Sequence, residues 1–167
     1  MNKLYILTGI IILQNIATVN AADFQNRPAS YLTIDRLVEN DPIQWPAIFS
    51  ALDNMRGTFD VNRYITPETH LQTTLLDTAV FDRNLFATEK LLKEFNANPN
   101  LVKDFTKITP LMIACMGPTA NPAIVRVLIK YGANPYLQNR HGQNSFHFAG
   151  DKIKIMAELD QYKRKNR

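Results

Sequence analysis

Among its 167 residues the chain has one cysteine, Cys115. No internal disulfide can form, so burial must hold the fold together. No Asn-x-Ser/Thr sequence occurs either, and N-glycosylation is not implied. Glycine is scarce, with six residues, and none lies in a phosphate-cradling loop or a Gly-x-Ser-x-Gly elbow; a His-Glu-x-x-His helix is also missing. These absences leave no motif for nucleotide binding, serine hydrolysis or zinc proteolysis, and no cofactor is expected. The formal charge is only +4, and much of the excess sits in "YKRKNR" at residues 162–167. That local charge fits a solvated helix end whose cations complement the helix dipole. The alternative function it would support is a surface tether, with the basic tail on anionic lipid or nucleic acid.

Long apolar runs are confined to the beginning. "MNKLYILTGIIILQNIATVNAAD" has an early cation at Lys3, an apolar run from Leu4 to Leu13, and small residues at Val19, Ala21 and Ala22. This is the layout of a secretory signal peptide, with cleavage expected after Ala21 or Ala22. Gln14 and Asn15 interrupt a run already shorter than the ~20 apolar residues of a spanning helix. The remaining chain suits one domain of roughly 100 to 200 residues. Export without disulfides or glycosylation sites fits a bacterial exported protein better than a eukaryotic secreted one, and periplasmic or secreted location is the expectation.

What the chain does have is a repeat. "TLLDTA", "TPLMIA" and "NSFHFA" start at Thr74, Thr109 and Asn144, a constant step of 35 residues. A second pattern keeps phase with the first: "LLKEFNANP" and "LIKYGANP" place Ala97 and Ala133 36 residues apart. Each first motif reads as a helix start. Thr74, Thr109 and Asn144 can accept a hydrogen bond from a free backbone N–H, and Pro110 suits the first helical position because its missing donor is not needed there. Leu76 with Ala79, Leu111 with Ala114, and Phe146 with Ala149 then share one helix face. In "NPAIVRVLIKYGAN" Pro122 opens a second helix, Ile124, Val125, Val127, Leu128 and Tyr131 line its buried side, and Gly132 stops it in the left-handed conformation. Asn96, a residue type that tolerates that conformation, holds the same place one unit earlier.

This order of motifs over Thr109 to Ala149 resembles the ankyrin repeat, with its Thr-Pro-Leu-His-x-Ala start and Gly-Ala-Asn ending. The resemblance implies an all-α solenoid of stacked helix-turn-helix units with short extended finger loops. We assign residues 1–22 to the leader, 23–62 to an N-terminal cap or degenerate first unit, 63–99 and 100–135 to two repeats, 136–162 to a truncated capping repeat, and 163–167 to the basic tail. The 63–99 unit departs from the pattern, with Leu75 in place of proline and Asp77 in place of histidine. "MGPTANP" lengthens the inter-helix turn of the next unit by about two residues. In the first unit "LTIDRLVEN" is the expected first helix, and "PAIFSALDNMRG" is the second, with Gly57 its stop. Trp45 precedes a proline, which favours extended backbone and a break between the two helices; its ring is expected to plug the end of the stack. Ile153, Ile155, Met156 and Leu159 are the expected apolar side of the closing helix.

The stretch "RHGQNSFHFAG" (140–150) looks at first like an active site. Two histidines do not complete a structural zinc site, which takes four ligands. Ser145 stands where the preceding unit has Pro110, an exchange that a nucleophile would not tolerate. For His147 the resemblance implies a scaffolding role at the helix start. Cys115 reads as a small buried filler, and Met112 and Met116, four residues apart, as helix packing. No enzyme activity and no small-molecule substrate are expected. The resemblance instead implies a protein partner, bound through the finger tips and the exposed side of the first helices. Lys103, Phe105, Thr106 and Lys107 in one finger, Gln138, Arg140, His141 and Gln143 in the next, and Phe148 on the following helix are the candidate contacts, with Phe105, Arg140 and Phe148 as anchors. Ile113 shares the helix position of Phe148. Nucleic acid is not the expected partner, membrane contact would come only through the tail, and the chain alone is expected to be monomeric.

Overall fold

A threonine or an asparagine closes the N-terminus of five helices, and each does so through its side-chain oxygen. The computed structural model describes residues 34, 37–38, 42–63, 65, 73–102, 106–117 and 120–165. Within them run α1 (Trp45–Asn54), α2 (Leu75–Phe81), α3 (Leu85–Glu94), α4 (Pro110–Cys115), α5 (Pro122–Lys130), α6 (Ser145–Ala149) and α7 (Ile153–Lys165), and no strand occurs among the described residues. Thr74, Asn84, Thr109, Asn121 and Asn144 cap α2 to α6 in turn. The leader, Lys103 and Phe105 lie outside the described residues.

Asp77, a departure from the repeat pattern, has a local function. Its carboxylate accepts from the Thr74 backbone N–H at 3.0 Å while Thr74 Oγ1 accepts from the Asp77 N–H at 3.1 Å, a reciprocal capping box. α2 therefore starts firmly without the proline of the next unit.

Each helix pair packs on itself and on the next pair. α2 packs on α3 and α4 on α5; α2, α4 and α6 form one layer, and α3, α5 and α7 form the other. Leu75, Leu111, Leu128 and Leu159 are fully buried between them. Small residues, Ala79, Ala114 and Ala149, let the first-layer helices approach closely. Left-handed stops fall where the repeat places them: Asn96 has φ 54°, Gly132 φ 92° and Gly57 φ 83°. In the first unit Ile34, Leu37 and Val38 are helical, and Ile34 and Val38 are buried four residues apart on one helix face.

Three expectations need correction. Trp45 is not extended but is the first residue of α1, with Pro46 next, where a missing N–H is harmless. Its ring is buried, and Nε1 donates to Asp82 Oδ2 at 2.7 Å. Met116 does not continue the helix of Met112: it takes extended angles (φ −74°, ψ 151°) after α4 ends at Cys115, because Gly117 follows with φ 74° and turns the chain. Ile153 is 83% exposed and does not face the core. Two residues of α-helix rotate the chain by about 200°, so Ile155 and Leu159 are buried on the opposite side from Ile153. α7 runs to Lys165, so the described part of the basic end is a helix end.

Glu158 is a charged residue on the buried side of α7, and Arg126 from α5 forks onto it, Nε to Oε2 at 3.0 Å and Nη2 to Oε1 at 2.5 Å. Hydrogen bonding and attraction from this carboxylate raise the Arg126 pKa further above its ordinary value. The pair fastens the closing helix to the preceding unit.

Cys115 is fully buried, and desolvation pushes its thiol up to about 12. A raised thiol pKa stabilises the fold below the unfolded value near 8.5, and this contribution is lost as pH rises towards 12. At pH 8 the folded protein should resist alkylation by iodoacetamide, and reaction should follow global unfolding in urea, read by mass spectrometry.

Candidate binding surface

Asn139 builds the third finger from within. It is buried, and its Oδ1 accepts from the backbone N–H groups of His141 and Gln143, both at 2.9 Å, while Nδ2 donates to Gln143 Oε1 at 3.1 Å. The Asn139 N–H donates to the Gln143 carbonyl at 2.9 Å, and the Gly142 N–H donates back to the Asn139 carbonyl at 3.0 Å. Gly142, at φ 72°, supplies the turn. The result is a closed loop that projects Arg140 and His141 outward; both are exposed.

Adjacent fingers are joined edge to edge. The Arg140 N–H donates to the Thr106 carbonyl at 3.1 Å. Lys107 then takes φ 56°, 35 positions before Gly142, so a lysine holds a conformation for which the next finger uses glycine. Thr106 is half-buried, and Lys107 and Gln138 are exposed.

The remaining candidates divide. Gln143 is half-buried and engaged on every side: its amide orientation is fixed by Asn139, and its Nε2 meets His147 Nε2 at 2.6 Å. It is part of the framework of the finger and not of its outer face. His147 braces the helix start through this contact with its own turn, while its backbone N–H is capped by Asn144. Phe148 and Ile113 are half-buried and packed against the core, with the Phe148 ring edge-on to His147 at 5.8 Å. Of the proposed anchors within the described residues, Arg140 is exposed and Phe148 contributes mainly to packing.

Ser145 is fully buried at the first position of α6, and its Oγ has no hydrogen-bond partner, so neither nearby histidine activates it. Among the described residues no group of three or more His, Cys, Asp or Glu side chains is placed to hold a metal ion, and no helix is long and apolar enough to cross a membrane. At the end of α7, Lys163 pairs with Asp160 at 2.9 Å and lies over the Phe146 ring at 4.5 Å.

A second set of residues, not singled out from the sequence, links the units along the finger edge. Asp60, Asn98 and Asn134 each accept from the backbone N–H two residues ahead, at 2.9 Å in all three cases. Between units, Asn62 Oδ1 accepts from the Asn98 N–H and Asn100 Oδ1 from the Asn134 N–H, both at 2.7 Å, and Asn100 Nδ2 donates to the Gly132 carbonyl at 2.9 Å. Tyr136 occupies the third such position and instead packs its ring against Phe146 and Tyr162. The signal was present in "DVN", "NPN" and "NPY" at 60–62, 98–100 and 134–136.

Stacked helix pairs with hydrogen-bonded loops along one edge define a helical-repeat solenoid. The Ankyrin repeat family model matches residues 106–140. The fold is similar to that of the human ASB11 ankyrin repeat domain, with a TM-score of 0.59 at 19% identity over 81% of this chain. The match spans 53% of the ASB11 domain, so this chain corresponds to about half of it. Residues 106–140 thus match an ankyrin repeat, and the described chain has the all-α fold of an ankyrin solenoid. Such repeats are protein–protein interaction modules, and the fold is typically non-catalytic.

Proposed function

We propose that this chain is an exported, non-catalytic binding module that occupies or tethers a partner protein through its finger edge. The observation carrying this reading is the third finger, which Asn139 organises and the Thr106 carbonyl holds against its neighbour while Arg140 and His141 face outward. A preorganised loop loses little freedom on binding, so its contacts go into affinity. The buried and unpartnered Ser145 and the buried high-pKa Cys115 support the non-catalytic part of the reading. Export rests on the leader alone, and either a periplasmic inhibitor or an effector delivered to a host is compatible with it.

Two measurements test the proposal. Expressed with its leader in a bacterium, the chain should be recovered outside the cytoplasm with an intact mass that begins at residue 22 or 23; full-length protein in the cytoplasm would overturn export. Immobilised purified chain should capture a discrete protein from envelope or host lysate, and the double change Arg140→Ala with His141→Ala should weaken capture at least ~10-fold, about 1.4 kcal/mol. An unchanged circular dichroism spectrum would confirm that the variant still folds. Equal capture by both would overturn the finger assignment.

A further inference from the structure

The turn between α2 and α3 carries surface that the packing does not use. Phe81 is 49% exposed, Leu85 38% and Phe86 68%, within six residues of chain. Because α2 and α3 form an antiparallel pair, this turn lies at the opposite end of the helices from the finger edge. Its base is fixed: Asp82 at the end of α2 accepts from Trp45 Nε1, and the Phe86 ring meets Phe49 edge-on at 6.0 Å.

Arg83 stands in the middle of this patch. It is exposed, has no ion pair or side-chain hydrogen bond among the described residues, and adopts φ 55°. The other two inter-helix turns also pass through positive φ, and both do so with glycine, at Gly117 and Gly150. An arginine in this conformation is strained, and strain of this kind collects at ligand-contacting sites. Two exposed phenylalanines around an unpaired guanidinium match the composition of interface anchors. The neighbouring carboxylate, Asp82, is turned to Trp45 Nε1 and forms no ion pair with Arg83 among the described residues.

We infer that the Phe81–Phe86 turn is a second docking surface, independent of the fingers, for a partner segment that places an aspartate or glutamate beside apolar side chains. The carboxylate pairs with Arg83 while the apolar groups cover Phe81, Leu85 and Phe86. A second copy of the chain fits less well, because a two-fold contact through this patch brings Arg83 against Arg83.

The probe is a random peptide library displayed on phage and selected against the intact chain. Selected peptides should be enriched in acidic residues next to Leu, Phe or Trp, and the best of them should bind more weakly as salt is raised. Arg83→Asn keeps a residue type suited to positive φ and removes the guanidinium; Phe86→Ser removes an exposed ring. Each should weaken the best peptide at least ~10-fold with an unchanged circular dichroism spectrum, while Arg83→Lys should retain most binding. The Arg140→Ala, His141→Ala variant should bind the peptide like the parent, which separates this surface from the finger edge. Full affinity in Arg83→Asn, selected peptides without acidic enrichment, or loss only in the finger variant would each overturn the inference. A dimer in sedimentation equilibrium that dissociates on Phe86→Ser would overturn it in favour of self-association, and preferential binding of a peptide of residues 23–33 would do so in favour of the chain's own N-terminal segment.

Discussion

Leu128→Ala should remove about 2–5 kcal/mol of stability, a large part of what a domain of this size has. Leu128 is fully buried on α5, which packs against α3, α4 and α7. The cavity therefore opens where both layers and two neighbouring units meet, with little room to collapse. Repeat arrays derive stability from each unit and its contacts with the adjacent ones, so a defect in a middle unit weakens both sides. In urea the midpoint should fall sharply, followed by far-ultraviolet circular dichroism. Val127→Ala, one residue earlier and half-buried, is the control and should move the midpoint much less. Similar shifts for both would mean that the packing of α5 has been misassigned.

Asn139→Ala should lower stability by about 2–3 kcal/mol and loosen the third finger. The change deletes, from a buried side chain, an acceptor for two part-buried backbone N–H groups and a donor to Gln143. Leaving buried donors unsatisfied costs about 1–3 kcal/mol, beyond the modest net value of a hydrogen bond. Hydrogen exchange should show the His141 and Gln143 amides losing protection while those of α4 and α5 keep theirs. Asn139→Asp preserves the acceptor and should cost less than alanine. If alanine left those two amides protected, the finger would be held by something other than this side chain. Asn139→Ala should also weaken partner capture without removing any contact residue.

Much of the helical framework was legible because each signal is local. A cap, a proline at the first helical position and a left-handed stop act within a few residues, so Thr109, Pro110, Asn96 and Gly132 disclose their structure from spacing alone. The misjudged residues depend on relations that spacing does not carry. Ile153 needed the rotation of α7 relative to the core. Trp45 was assigned from the proline after it, yet a hydrogen bond to Asp82 and burial outweighed that local preference.

The candidate site was less legible than the fold. Arg140 and His141 could be named because they stand in an obvious turn, but Gln143 looked equivalent to them until its amide proved to be held on both sides. Asn139 was passed over for the same reason: an asparagine in a polar loop gives no sign of whether it faces solvent or the chain. The Phe81–Phe86 turn carries no motif, and only the exposure of its side chains sets it apart.

The asparagines along the finger edge give the stack a direction. Asn62 reaches forward to Asn98, and Asn100 to Asn134, but Tyr136 extends no equivalent amide to the residues after it. Peeling that starts beyond Tyr136 leaves both of these cross-links closed, whereas peeling from the other end must open them one after the other. Along this edge the asparagine cross-links run out at Tyr136, and beyond it the third finger is held by the backbone bond from Arg140 to Thr106 and by its own Asn139.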